Sequence, residues 1–338
     1  GKIYPGFKNS FYSNSFQSEI KVHRLVFVPG YKDSLILKII NYFIFIISSF
    51  FLIISIGRRF DRIFIYQTGP LTNALSACLL KSIFNYNITL WVQDLWPESV
   101  YGYGFKKTFL RKKILNFLVK YIYSKSDIIL FSSGKFRDSI KSFNQYAKLF
   151  YTPNWPIINT KKINDIEMEG DFNFTFAGNI GKVQNLENLI KGFAKIGNLN
   201  SKVKLNIIGD GSLLNKLKTL SINLNVKNIN FFGRLDIKKT SQYLKKSDVL
   251  IVSLKDNAAF NLTIPGKFQT YLTFNKPIYS ICFGQINSYI DKYNLGLSAN
   301  PDNINDIAQG FNKFVKFNKS QLKTFSKNSQ RLINKEFN

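Results

Sequence analysis

The sequence predicts an α/β protein with two Rossmann-like, parallel-sheet domains that face each other across a cleft. Short apolar strands alternate with helical patterns through both halves of the chain, as in repeated βαβ units. The alternation stops at 152–156, where Pro153 and Pro156 exclude regular structure. We therefore expect one domain over 1–152 and a second over 153–319. The terminal segment over about 320–338 is basic and polar, and its pattern predicts a helix.

The strand and helix patterns can be placed along the chain. In the first half we expect strands at 22–28, 62–66, 88–92, 128–131 and 149–151, with helices near 34–56, 71–84, 106–124 and 135–146. In the second half we expect strands at 173–177, 204–208, 229–232, 249–252 and 278–281, with helices near 184–196, 212–223, 238–245, 264–274 and 286–292.

Composition limits the possible partners and cofactors. The 338 residues suffice for two domains, and 47 Lys+Arg against 20 Asp+Glu give a net charge of +27. Such a charge attracts nucleic acid, anionic lipid headgroups or the diphosphates of nucleotide sugars and polyprenyl carriers, although biased genomic composition would also raise it. A single histidine and two cysteines exclude zinc sites built from these residues and make a disulfide framework improbable.

The segment 34–56 is apolar enough to meet a membrane. Residues 39–56 carry no charge, a length close to that of a membrane span. Strands 22–28 and 62–66 should share one sheet, and a single crossing would separate them. We favour a crossover helix that also dips into the membrane. A buried helix and a true span are the alternatives.

A second segment, 106–125, combines basic and aromatic residues. This composition is typical of a helix on an anionic membrane surface, whereas single-stranded nucleic acid or an ordinary solvated face would use similar residues. The basic residues expected at the membrane are Lys106, Lys107, Arg111, Lys112 and Lys113.

Five loop strings carry the candidate chemistry, because loops at the carboxyl ends of parallel strands line the ligand crevice. Ordinary turns and helix starts would explain each string taken alone. In chain order they are Gln-Asp-Leu-Trp-Pro-Glu-Ser at 93–99, Phe-Ala-Gly-Asn-Ile-Gly-Lys-Val-Gln at 176–184, Ile-Gly-Asp-Gly-Ser at 208–212, Phe-Gly-Arg at 232–234, and Thr-Ile-Pro-Gly-Lys-Phe-Gln-Thr-Tyr-Leu at 263–272.

These strings resemble the retaining glycosyltransferases of family 4, which have the two-domain GT-B fold. The resemblance is strongest to the subgroup that elongates lipid-linked sugars in bacterial surface polysaccharide pathways, including O-antigen transferases of the N-acetyl-fucosamine type. It implies transfer from a nucleotide diphosphate sugar, with a UDP-linked N-acetyl-amino sugar as the expected donor, to a polyprenyl-diphosphate-linked saccharide. It also implies that the protein acts at the cytoplasmic face of the bacterial inner membrane, where segments 34–56 and 106–125 hold it as a peripheral or monotopic protein. No metal, cofactor or nucleic acid is expected.

The resemblance assigns roles to single residues. Lys182 and Lys267 would neutralise the leaving diphosphate, Asp94 would face the acceptor hydroxyl or the anomeric centre, and Glu98 would support the Asp94 loop. It also implies a βα unit with a glycine-rich loop ahead of residue 1, and a terminal helix over about 320–338 that packs back on the first domain. The other expected donor-binding residues are Gly178, Asn179, Gln184, Gly209, Arg234, Gln269 and Thr270.

The chain departs from the family pattern at the donor ribose. Thr270 stands where many members carry the glutamate that holds the ribose, and Leu262 stands where an earlier glutamate is usual. Asn179 replaces a usual arginine in the donor loop. The ribose and diphosphate contacts therefore cannot be copied from the family. Two other functions remain open, a nucleotide-sugar epimerase of the same fold and an inactive binding module of a polysaccharide assembly complex.

Overall fold

A computed structural model describes residues 3, 8–31, 34–102, 104–156, 163–197 and 202–337. The chain forms two compact units that divide between Thr152 and Pro153. Each unit contains a parallel sheet with helices, which confirms the predicted α/β class with two Rossmann-like domains.

The first unit begins with a hairpin that the sequence analysis missed. Strands β1 (Tyr12–Gln17) and β2 (Ile20–Leu25) pair antiparallel, with Gln17 opposite Ile20, and form a two-stranded sheet of their own. Ser18 turns the chain with a φ of 54°. The expectation that 22–28 joins the sheet of 62–66 is therefore wrong. The nearest pairing partner of this segment is the strand just before it, and a two-residue turn brings that strand alongside.

A four-stranded parallel sheet forms the centre of the first unit, with its strands in sequence order. The strands are β3 (Arg62–Gln67), β4 (Asn87–Val92), β5 (Ile128–Phe131) and β6 (Lys148–Tyr151). The helices are α1 (Leu35–Ile56), α2 (Leu75–Phe84), α3 (Glu98–Gly102), α4 (Phe109–Lys125) and α5 (Phe136–Phe143), with 3-10 turns at Gly57–Arg59 and Leu71–Ala74. Leu90, Val92 and Ile129 are fully buried and anchor the core of this sheet.

Helix α1 buries two serines, whereas many of its apolar side chains are exposed. Ser48 and Ser49 are its buried residues, and Ser49 Oγ lies 2.8 Å from Ser76 Oγ of α2. The stretch Leu35–Arg59 is long and apolar enough to cross a membrane by length and composition, and only 6% of its most apolar window is buried. The apolar side chains exposed along α1 are Leu35, Ile36, Ile39, Ile40, Phe43, Ile47, Phe51 and Ile54.

The second unit contains a six-stranded parallel sheet in the order β9-β8-β7-β10-β11-β12. The strands are β7 (Phe172–Ala177), β8 (Val203–Ile208), β9 (Ile229–Gly233), β10 (Val249–Ser253), β11 (Ile278–Ile281) and β12 (Gly296–Ala299). The helices are α6 (Leu186–Gly197), α7 (Leu214–Asn223), α8 (Ile237–Lys246), α9 (Gly266–Leu272), α10 (Gln285–Tyr293), α11 (Ile304–Lys316) and α12 (Lys319–Glu336), with 3-10 turns at Lys182–Gln184 and Phe260–Leu262.

The terminal helix α12 packs within the second unit. Asn318 caps its first turn, and Phe325 and Leu332 enter the buried clusters of this unit. Near its end, the Glu336 carboxylate accepts a hydrogen bond of 2.7 Å from the Tyr289 hydroxyl of α10. These contacts fix α12 on the second unit, and the expected packing against the first unit stays a prediction.

Candidate active site

The sheet of the second unit brings the predicted donor loops to one edge. Strands β8 and β9 follow β7 on one side, whereas β11 and β12 follow β10 on the other, so the strand order reverses between β7 and β10. In open α/β sheets such a reversal forms a crevice at the carboxyl ends of the strands, where ligands bind. The loop 178–184 leaves β7 at that reversal.

Glycines allow the loops after β7 and β8 to approach each other closely. Gly178 and Gly209 have φ angles of 153° and 143°, which residues with a side chain rarely adopt. A Cβ at Gly209 would lie 1.8 Å from the carbonyl oxygen of Gly178. The Gly178 amide donates to Ile208 O (2.9 Å) and the Gly209 amide donates to Gly233 O (2.8 Å). Three neighbouring strand ends are thereby tied together by backbone hydrogen bonds.

Lys267 of α9 lies directly against the Gly178 loop. Its Nζ is 4.1 Å from the centroid of the Phe176 ring, and a Cβ at Gly178 would be 2.9 Å from that nitrogen. Nζ is inaccessible to solvent, although the residue as a whole is half-buried, and it has no hydrogen-bond partner among the described residues. Burial lowers the pKa of Lys267 to about 7. A lysine held in this way beside a glycine loop is suited to binding an anion.

Two other buried polar side chains lie on the elements around Lys267. Gln269 is 1% exposed, and within the described ranges neither of its amide atoms has a hydrogen-bond partner. The same is true of the Ser253 hydroxyl at the end of β10. Buried polar atoms are nearly always hydrogen-bonded, so these groups are candidates for ligand contacts. Thr270, at the position of the family glutamate, is half-buried.

Lys182 has different surroundings from Lys267. Its side chain is exposed and lines a pocket of about 230 Å³ together with Lys255 and Asp256. No described contact joins Lys182 to Lys267. The expectation that both lysines act on one diphosphate therefore stays a prediction. The geometry around Lys267 supports a diphosphate contact for that residue.

The other predicted donor residues shape the loops or lie at their surface. Gln184 Oε1 accepts a hydrogen bond of 3.1 Å from the Gly181 amide, which closes the loop after β7. Asn179 and Arg234 are exposed at the ends of β7 and β9. Gln184 therefore has a structural contact, whereas Asn179 and Arg234 are accessible to a ligand.

In the first unit, Asp94 follows β4, which lies between β3 and β5. The Gln67 side chain at the end of β3 donates to Asp94 O (3.1 Å) and to Gly69 O (2.8 Å), joining the loops after two neighbouring strands. Burial raises the pKa of Asp94 to about 6. Asp94 and Trp96 line a pocket of about 230 Å³. Gln67 is not among the predicted site residues, although a polar residue at the end of the strand Arg-Ile-Phe-Ile-Tyr-Gln is a signal for it.

Glu98 is directed into the first unit. Its Oε1 accepts a hydrogen bond of 3.2 Å from Ser139 Oγ of α5, and Oε2 is buried with no hydrogen-bond partner among the described residues. Burial, with a smaller contribution from the Glu98 charge, raises the pKa of the Tyr123 hydroxyl. These contacts fit a residue that anchors the Asp94 loop from inside.

Comparisons with known proteins identify the family. Residues 159–332, just over half of the chain, match the family described as glycosyl transferases group 1. The chain belongs to this family. It is therefore a glycosyltransferase, as the resemblance of the five loops implied. The probable glycosyltransferase WbjE of Pseudomonas aeruginosa is 26% identical over 281 residues, which cover 79% of this chain and 69% of that protein. An uncharacterized glycosyltransferase of Methanocaldococcus jannaschii is 25% identical over 298 residues, which cover 82% of this chain and 69% of that protein.

Several solved structures have the same fold. Sucrose-phosphate synthase of Thermosynechococcus elongatus has a TM-score of 0.75 at 13% identity, covering 99% of this chain and 82% of that one. The UDP-forming trehalose-phosphate synthase of Burkholderia xenovorans has a TM-score of 0.73 at 12% identity, with shares of 97% and 87%. Anabaena HepE in complex with UDP-glucose has a TM-score of 0.64 at 10% identity, with shares of 86% and 78%. At these identities the likeness concerns the fold alone.

Proposed function

We propose that this glycosyltransferase transfers a sugar, with retention, from a nucleotide diphosphate sugar that releases UDP, and that the sugar is an N-acetyl-amino sugar. The observation that carries the proposal is the buried Lys267 ammonium beside the Gly178 loop, where the strand order reverses. A cation at this position suits a diphosphate. The complexes of the structural neighbour HepE with UDP and with UDP-glucose support this choice of ligand.

Lys267 and Asp94 have complementary roles in this proposal. The bound diphosphate keeps Lys267 protonated, and the ammonium stabilises the negative charge that develops on UDP as the glycosidic bond breaks. Asp94, with a pKa of about 6, is ionised near neutral pH and accepts the proton of the acceptor hydroxyl. Gln67 holds the Asp94 backbone in place. Neither role requires a metal or a cofactor, and their absence from the reaction is part of the proposal.

The acceptor in this proposal is a polyprenyl-diphosphate-linked saccharide of a bacterial surface polysaccharide pathway. Two helices support a membrane-bound acceptor, because α1 exposes its apolar side and α4 exposes apolar side chains beside basic ones. The enzyme would lie on the cytoplasmic face of the inner membrane, held peripherally or monotopically. On α4 the exposed apolar residues are Phe109, Leu110, Ile114 and Phe117.

In this proposal the five basic residues near the start of α4 meet anionic headgroups. Four of them, Lys106, Lys107, Lys112 and Lys113, are exposed. Arg111 is half-buried over the Phe105 ring, 5.6 Å from its centroid, and donates to Lys106 O. Each exposed lysine that reaches an anionic surface contributes about 1 kcal/mol to binding.

A UDP-release assay tests the proposal. The purified protein is incubated with a panel of UDP-sugars, with and without a saccharide on a short prenyl diphosphate, and UDP and saccharide products are measured. We expect UDP release that depends on the acceptor. Conversion of the UDP-sugar to an epimer without acceptor would favour an epimerase instead. Tight UDP-sugar binding without release or conversion would favour a binding module.

A further inference from the structure

The pocket beside Asp94 has an apolar wall built by α1. The N-terminal half of α1 contributes Leu35 and Ile39, and the loop after β4 and the segment before α4 contribute Trp96 and Phe105. Leu35 and Ile39 are 52% and 45% exposed, so this wall continues to the surface of the unit. One helix therefore forms both an exposed apolar face and a side of the pocket that contains the candidate base.

Lys38 is the single charged residue of α1, and it lines the same pocket as Asp94. Its polar neighbours along the helix have partners, since Asn41 Oδ1 accepts from Val28 N (2.9 Å) and Ser48 Oγ donates to Ile44 O (2.7 Å). Among the described residues the Lys38 ammonium makes no hydrogen bond or ion pair, and no ion pair joins it to Asp94. A lone cation on so apolar a helix points to a functional contact.

The pocket combines an apolar wall, one cation and one carboxylate. A lipid-linked saccharide supplies the complement of each, namely a prenyl chain, a phosphate and a reacting hydroxyl. We propose that this pocket receives the acceptor and that Lys38 binds the acceptor's phosphate while Asp94 faces its hydroxyl. The inference rests on the acceptor class proposed above and adds the residue that recognises it. The prenyl chain would lie along the exposed side of α1, so the acceptor reaches Asp94 without leaving the bilayer.

Two acceptors that differ only in the phosphate test the role of Lys38. One carries the saccharide on a short prenyl diphosphate, and the other carries it on a neutral prenyl ether. Both are assayed in neutral detergent micelles with wild type, Lys38→Ala, Lys38→Arg and Lys148→Ala. Lys148 is an exposed lysine at the opposite, amino-terminal end of β6 and serves as the matched control.

We expect Lys38→Ala to raise KM for the diphosphate acceptor by roughly tenfold or more, the effect of losing one charged hydrogen bond. Its kcat, its UDP affinity and its KM for the neutral acceptor should match wild type. Lys38→Arg should recover most of the affinity, and Lys148→Ala should change nothing. Equal losses on both acceptors would overturn the proposal. The diphosphate acceptor is also assayed on anionic vesicles. A loss that is seen there but not in the neutral micelles would overturn the proposal too, since Lys38 would then bind lipid headgroups.

A binding measurement separates this inference from the proposed reaction. If wild type binds UDP but transfers sugar to neither acceptor, the proposed acceptor class fails. Titration calorimetry with a short prenyl diphosphate and the matching prenyl alcohol then decides the role of Lys38. We expect the diphosphate to bind wild type at least roughly tenfold more tightly than Lys38→Ala, with no such difference for the alcohol. Equal binding of the diphosphate to both proteins would overturn the proposal.

Discussion

Nucleotide binding should depend on the protonation of Lys267. Burial lowers the pKa of this lysine to about 7 in the free protein. A bound diphosphate places negative charge beside the ammonium and raises its pKa in the complex. Below pH 7 the lysine is already charged, and UDP affinity is insensitive to this group. As the pH rises above 7, each binding event must take up a proton, and the affinity falls until the pH reaches the pKa of the complex.

The size of this effect follows from the pKa values. Between the two pKa values the dissociation constant for UDP should rise about tenfold per pH unit, which is about 1.4 kcal/mol of binding free energy. Phosphate groups with a second pKa near 6 are already ionised over this range, so titration of the nucleotide adds little pH dependence to the affinity. We therefore expect UDP to bind about tenfold more weakly at pH 8.5 than at pH 7.5.

Titration calorimetry with UDP over this range measures both the affinity and the proton uptake, the latter from buffers with different ionisation enthalpies. Lys267→Met keeps an apolar stem of similar length and should bind UDP weakly without pH dependence. Lys276→Met is the matched control, because burial also lowers the pKa of Lys276 but this residue lies before β11, at the other end of the sheet. Its pH dependence should equal that of wild type. A wild-type affinity that stays constant from pH 7.5 to 8.5 would refute the role of Lys267.

Three further predictions concern the other parts of the site. Asp94→Asn should lower kcat by roughly two orders of magnitude with UDP affinity unchanged, and the fall in wild-type rate below about pH 6 should disappear in this variant. Gly209→Ala should lose UDP binding because its Cβ would meet Gly178 O at 1.8 Å, whereas Gly266→Ala has open space and should bind normally; isothermal titration compares them. Wild type should bind anionic vesicles in flotation assays, with partial loss in high salt, and changing the five basic residues of 106–113 to Glu should release it at low salt.

The donor loops could be predicted from the sequence because strand topology places them. Once strands at 173–177, 204–208 and 229–232 are assigned to one parallel sheet, their carboxyl ends must lie at the same edge. The glycines that follow each strand then mark where the backbones approach. The observed contacts between Gly178 and Gly209 agree with this logic.

Side-chain directions could not be predicted in the same way. Lys182 and Lys267 look equivalent as lysines near loop glycines, yet one is exposed and the other has its ammonium buried. The difference depends on how α9 packs on the sheet, which the local sequence does not specify. The contact of Gln67 with the Asp94 loop was missed for a similar reason, since the two residues lie 27 positions apart. Contacts across neighbouring strands become apparent only when the sheet is assembled.

The hairpin at 12–25 removes the reason for expecting α1 to be a crossover helix between two strands of one sheet. Residues 22–28 were expected to form a strand of the parallel sheet, and that expectation made α1 a crossover helix. In the structure β2 pairs with β1, and α1 is instead held to α2 through its serines, with Ser76 Oγ donating to Ile46 O at 2.7 Å. The polar side of the helix thus faces protein. The exposed apolar side would cost about 25 cal/mol per Å² to hold in water, and a bilayer removes that cost.

The position of Lys38 is consistent with an orientation in which the apolar side of α1 faces a bilayer. It lies in the first turn of α1, where a lysine stem can extend along apolar surface while its ammonium reaches a polar region. With the apolar side of α1 in lipid, that polar region would be the headgroup layer, the depth at which a prenyl-linked phosphate lies. The pocket with Asp94 opens beside this turn. Helix α1 would then contribute both to attachment to the membrane and to recognition of the acceptor, so variants of its apolar side should impair transfer to lipid-linked acceptors more than transfer to soluble analogues.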